Sequence, residues 1–105
     1  MLRAARSGQP RRIIAAFQPH RYTRTRDLLA EFGRALSAAD ITLLTDIYSA
    51  GEAQIPGITS AAIADAIRAH GQGTVELVAL DEIPARVAAL ATDGDVVLTF
   101  GAGSI

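Results

Sequence analysis

Four short apolar runs, rich in β-branched and aliphatic residues, recur along the chain at Ile13–Phe17, Ile41–Thr45, Val75–Ala79 and Val96–Phe100. They are apolar at consecutive positions rather than alternating, which predicts strands covered on both faces, as in a parallel sheet. Between them the period changes. From Thr25 to Ala38, the side chains of Leu28, Leu29, Phe32, Ala35 and Leu36 fall at helical spacing, with Asp27, Glu31 and Arg34 turned outward. Ser60–His70 repeats the pattern with Ile63, Ala66 and Ile67, with Thr59 or Ser60 as N-cap and Gly71 as C-cap. A third helix begins at Asp81, presents Ile83, Val87 and Leu90, and is closed by Gly94.

Strand–helix alternation predicts an α/β fold with right-handed crossovers. The expected form is a Rossmann-like, doubly wound sheet of about four parallel strands with helices on both faces and strand order 3-2-1-4. That order makes the first and fourth strands neighbours, so the loops after them flank the switch point. At 105 residues the chain is expected to form one domain around one core. Its ends read as cut: Met1–Arg6 resembles the last turns of a helix, and Gly101–Ile105 follows a strand where a new helix should open. No apolar run approaches the roughly 20 residues of a membrane span, and the arginine-bearing start has no apolar signal core. Absence of cysteine excludes disulfides and thiolate metal sites and fits a cytoplasmic address.

Charge changes the picture more than composition does. Seven arginines precede the first acid, Asp27, and three arginines then face eleven acids, so +7 is followed by −8. That polarity predicts an anion-facing amino-terminal third. With only five aromatics in the chain, a small anion suits it better than nucleic acid, which needs stacking platforms. All ten basic residues are arginine. A phosphate-binding P-loop needs a lysine on the β- and γ-phosphates, so any ATP must be held elsewhere.

The first strand runs into Phe17-Gln18-Pro19-His20-Arg21-Tyr22-Thr23-Arg24-Thr25-Arg26, at the strand end where ligands of open α/β sheets sit. Guanidinium forks grip carboxylate or phosphate bidentately, and the helix amino terminus that follows attracts the same anions. Arg21 and Arg24 are therefore read as anion ligands and Arg26 as a surface ion-pair former. His20 is read as a substrate contact rather than a general base, because no acid nearby in sequence orients it. The second strand delivers a loop from Asp46 to Gly57 in which Asp46 or Glu52 could meet an ammonium or orient an arginine; a docking or turn-forming loop fits as well. Gly101-Ala102-Gly103 suits close backbone approach to a ligand or loop, not an independent nucleotide fingerprint. His70 reads as a helix-end interaction. Two histidines fifty residues apart, without clustered carboxylates, make no metal set.

Residues 17–28, Phe-Gln-Pro-His-Arg-Tyr-Thr-Arg-Thr-Arg-Asp-Leu, are similar to the hallmark of the alanine-adding Mur ligases, which attach L-alanine to UDP-N-acetylmuramate in peptidoglycan synthesis. Two further stretches match in order and spacing: Asp46–Glu52 through Ile55-Pro56-Gly57, and Asp93–Thr99 through Gly101–Gly103. The resemblance implies the carboxyl-terminal, amino-acid-binding domain of a three-domain, cytoplasmic ligase. ATP and magnesium would be held by a central domain and the UDP-sugar by an amino-terminal one. It also implies that an acyl phosphate is attacked by the alanine amine. His20, Arg21 and Arg24 would border L-alanine, with Tyr22, Asp46, Glu52, Gly101 and Gly103 in support. No catalytic residue and no metal ligand is expected within the chain, nor a nucleic-acid or membrane partner, and the isolated chain is expected to be inactive. The family's Asp-Asp-Tyr-Gly-His-His-Pro segment has no counterpart here. The rival readings are the related ligase that recycles murein tripeptide and a freestanding anion-binding domain.

Overall fold

The computed structural model describes residues 12–71 and 73–100. Four parallel strands, β1 (Ile13–Phe17), β2 (Ile41–Leu44), β3 (Thr74–Leu77) and β4 (Val96–Phe100), form one sheet in the order β3-β2-β1-β4. The expected 3-2-1-4 order is what forms. β1 is central, with Ile14 opposite Ile41 on one side and Val97 on the other. All of β2 and β1 up to Ala16 are buried, which is why both read as unbroken apolar runs.

Three helices cover the sheet. α1 (Tyr22–Leu36) and α2 (Ser60–His70) lie on one face, and α3 (Ile83–Leu90) on the other. Alternation along β1 divides the core: Ile13 and Ala15 join Leu36, Ile63 and Ile67, whereas Ile14 and Ala16 join Leu43 and Ile83. Each leucine or isoleucine among them contributes about 1.5–3 kcal/mol by leaving water. α1 and α2 approach closely because position 33 is glycine; a Cβ there would sit 2.7 Å from the carbonyl oxygen of Ala66.

Element ends moved for identifiable reasons. α1 starts at Tyr22 rather than Thr25, and ends at Leu36, where the Ser37 hydroxyl donates to the Arg34 carbonyl. Ala35, expected on its buried face, is exposed. α2 keeps its expected bounds, with the Thr59 hydroxyl accepting from the Ala62 N–H. Gly71 follows in an extended conformation, not the left-handed one of a glycine cap. The third helix opens with a 3₁₀ turn at Leu80–Glu82 and ends at Leu90 instead of near Gly94. There Asp95 accepts from the Thr92 N–H and hydroxyl, turning the chain into β4.

Charged contacts tie the amino-terminal end of the sheet. Arg12 donates to Asp95 at 2.7 Å and to the Leu90 carbonyl at 2.7 Å, and the Ile13 N–H donates to Asp40. At the β3 edge Arg86 grips Glu76 with two bonds, at 2.7 and 2.8 Å. Beyond the carboxyl-terminal end, the loops after β1 and β2 are joined to one another.

Candidate functional site

The β1 loop and the β2 loop join in a short parallel bridge beyond the sheet, at His20 and Tyr48. The Tyr48 N–H donates to the Pro19 carbonyl at 2.8 Å, and the Arg21 N–H donates to the Tyr48 carbonyl at 2.7 Å. The two rings lie face to face, with centroids 5.4 Å apart and planes 19° from parallel. His20 is thus oriented by an aromatic neighbour, and among the described residues no carboxylate hydrogen-bonds to it.

Arg21 stands immediately before α1 with φ 72° and ψ 143°. A non-glycine residue in that region costs on the order of 1–3 kcal/mol and persists only when its surroundings hold it. Both of its peptide groups are held. The N–H is bound to Tyr48, and the carbonyl accepts from the N–H and the hydroxyl of buried Thr25, at 3.2 and 2.8 Å. The side chains of Arg21 and Arg24 are exposed and, among the described residues, make no salt bridge. Arg26 pairs instead with Asp27 at 3.1 Å on the surface, as expected of it.

The amino terminus of α1 is already occupied by an anion. One Glu52 oxygen accepts from the N–H groups of Tyr22 and Thr23, at 2.7 and 3.1 Å, and the other accepts from the Thr23 hydroxyl at 2.7 Å. These bonds, with the nearby Arg21 charge, hold the Glu52 carboxyl below its ordinary pKa, the Thr23 hydroxyl being the largest cause. The expectation that this helix end attracts the ligand is therefore corrected: its dipole and first donors serve Glu52. Glu52 thus accepts three hydrogen bonds from the start of α1 and lies within the influence of the Arg21 charge.

Asp46, at the exit of β2, is exposed and borders a cleft of about 700 Å³ with Tyr22, Ile47 and the 54–60 segment. The cleft thus gathers Tyr22 and Asp46 but not His20, Arg21 or Arg24. Gly101 and Gly103 lie outside the described residues; the Gln18 N–H donates to the Phe100 carbonyl at 3.0 Å, so the two strands end side by side. The carboxamide oxygen of Gln18 is buried and, among the described residues, has no hydrogen-bond partner. Such an atom costs about 1–3 kcal/mol unless something satisfies it. Nothing in the local sequence of Tyr48 or Thr23 marks its partner in the other loop. No described group of His, Cys, Asp or Glu has the composition of a metal site.

A family model for the Mur ligase glutamate ligase domain matches residues 1–103. The chain belongs to the Mur ligase family. Among its Mur ligase relatives, the UDP-N-acetylmuramate–L-alanine ligase of Anaeromyxobacter dehalogenans (strain 2CP-1) is 54% identical over 99% of this chain and 23% of its own length. The same-named enzymes of Anaeromyxobacter sp. (strain Fw109-5) and Halorhodospira halophila are 55% and 51% identical, again over 99% of this chain and 23% and 22% of theirs. The chain therefore spans under a quarter of the length of these curated relatives. No described helix is long and apolar enough to cross a membrane.

Proposed function

We propose that this chain is the amino-acid-binding, carboxyl-terminal domain of a cytoplasmic, ATP-dependent ligase that joins L-alanine to UDP-N-acetylmuramate. The observation that carries the reading is the pair of exposed arginines, Arg21 and Arg24, beyond β1 of a Mur ligase domain. Neither makes a salt bridge among the described residues, and Arg21, within the influence of the Glu52 charge, is held in a high-energy backbone conformation. Bidentate forks of this kind recognise a carboxylate.

In the proposed ligase, ATP held outside this chain would supply the activation that turns the muramate carboxyl into an acyl phosphate. The unprotonated alanine amine attacks its carbonyl carbon, a C–N bond forms, and the bond to phosphate oxygen breaks. Arg21 and Arg24 fix the alanine carboxylate so that the amine points toward the acyl group, an orientation effect. His20, braced by Tyr48, borders the same substrate, and Tyr22, Asp46, Gly101 and Gly103 support it. The residues present do not fit a triphosphate: the chain contains no lysine for a P-loop. ATP and magnesium are accordingly assigned to a part of the ligase outside this chain.

The test offers the full-length ligase carrying this sequence radiolabelled L-alanine, UDP-N-acetylmuramate, ATP and magnesium, with murein tripeptide as competing amine. Incorporation of alanine in preference to tripeptide is expected. The 105-residue chain alone should release no phosphate above a protein-free control. Preference for tripeptide, or turnover by the chain alone, would refute the reading.

A further inference from the structure

We propose that Glu52 is a positioning residue for amino-acid recognition: its carboxylate clamps the start of α1 and so keeps Arg21 in the conformation that presents its guanidinium. The inference rests on the reading of Arg21 as a carboxylate ligand.

Arg21 occupies a backbone region that residues with a Cβ leave when nothing restrains them. Its carbonyl is held by Thr25 within α1, and the remaining restraint comes from the β2 loop. Upstream, its N–H is bound to Tyr48; downstream, the next two N–H groups and the Thr23 hydroxyl converge on Glu52. Among these contacts Glu52 supplies the charged ones, which are about twice as strong as neutral hydrogen bonds. The β2 loop is bent to deliver it: Ala50 and Gly51 take φ 51° and 89°, and the Glu52 N–H closes the turn on the Ser49 carbonyl at 3.0 Å. Two loops with unfavourable backbone conformations are thus fastened to one another, and Glu52 is the charged fastener, within the influence of the Arg21 guanidinium.

Glu52 also sets what the site can bind. By filling the helix amino terminus it leaves the substrate carboxylate to the arginines alone. Its negative charge beside Arg21 offsets part of the local positive charge, which suits a zwitterion with one carboxylate better than a dianion.

The experiment is steady-state kinetics on the full-length ligase carrying Glu52→Gln, Glu52→Ala or Thr23→Val, with KM for L-alanine and for ATP measured separately. Glu52→Ala should raise KM for L-alanine on the order of 10-fold or more. Glu52→Gln keeps one carbonyl oxygen for the two N–H groups and should lie between it and the parent. Thr23→Val, which removes one bond and spares the rest, should raise it about 3-fold. KM for ATP should stay put in all three. A role in folding alone would lower the active fraction and leave both KM values unchanged, and that result overturns the proposal. So does a parallel rise in both KM values. Should Glu52→Ala fail to fold, the Gln and Thr23→Val variants decide the matter. If the parent enzyme ligates no alanine, the functional reading fails instead; a parent that ligates alanine with unmoved KM values in the variants isolates the failure to Glu52.

Discussion

Gly33 and Ala66 mark the point where α1 crosses α2, and a Cβ added at Gly33 would meet the Ala66 carbonyl oxygen at 2.7 Å and its Cβ at 2.8 Å. Two effects compete in Gly33→Ala. Alanine favours the helix by about 1 kcal/mol over glycine. Overpacking against backbone costs about 1–3 kcal/mol, and the Ala66 carbonyl has no freedom to swing aside. Packing should win. Denaturant unfolding should show Gly33→Ala less stable, by up to roughly 2 kcal/mol, and a more stable variant would mean that the helices can separate without loss.

Much of this fold is legible in the pattern of side chains. β1, β4 and α2 begin and end where expected, because their limits are set locally, by apolar runs and by the Thr59 cap. The start of α1 is not legible, because its cap comes from Glu52, thirty residues away. α3 stops at Leu90, short of Gly94, because a separate turn follows it: Gly94 takes φ 90° between Thr92 and Asp95, and the Asp95 carboxylate accepts from the Thr92 N–H. In the site, the arginines stand out by residue type, and Arg26, read as a surface ion-pair former, pairs with Asp27. What Glu52 does required the loops to be brought together, and so did the stacking of Tyr48 on His20. No periodicity reports a contact between irregular segments.

Acid should loosen the molecule in a defined window. Glu52, Glu76 and Asp95 all have lowered pKa values, caused chiefly by hydrogen bonds from Thr23, Arg86 and Arg12 respectively. A carboxyl whose folded-state pKa is depressed contributes stability that is complete above its unfolded value, near 4. That contribution falls away as pH drops through the lower, folded-state value. The thermal midpoint should therefore be level from pH 7 to about 5 and decline below about 4. Thr23→Val should flatten part of that decline by removing the largest cause acting on Glu52. A midpoint that rises on acidification would contradict the assigned shifts.

The central claim is that Arg21 and Arg24 hold the alanine carboxylate while Arg26 does not, and lysine replacements test it most directly. Lysine keeps the charge and loses the bidentate fork. In the full-length ligase, Arg21→Lys and Arg24→Lys should each lower kcat/KM for L-alanine by roughly 10- to 150-fold, the loss of about 1.5–3 kcal/mol from one charge-assisted hydrogen bond. KM for ATP should move little, and Arg26→Lys, which disturbs only a surface pair with Asp27, should be close to the parent on both axes. If Arg26→Lys proves as damaging as the other two, or if Arg21→Lys and Arg24→Lys raise KM for ATP alone, the loop does not recognise alanine as described here.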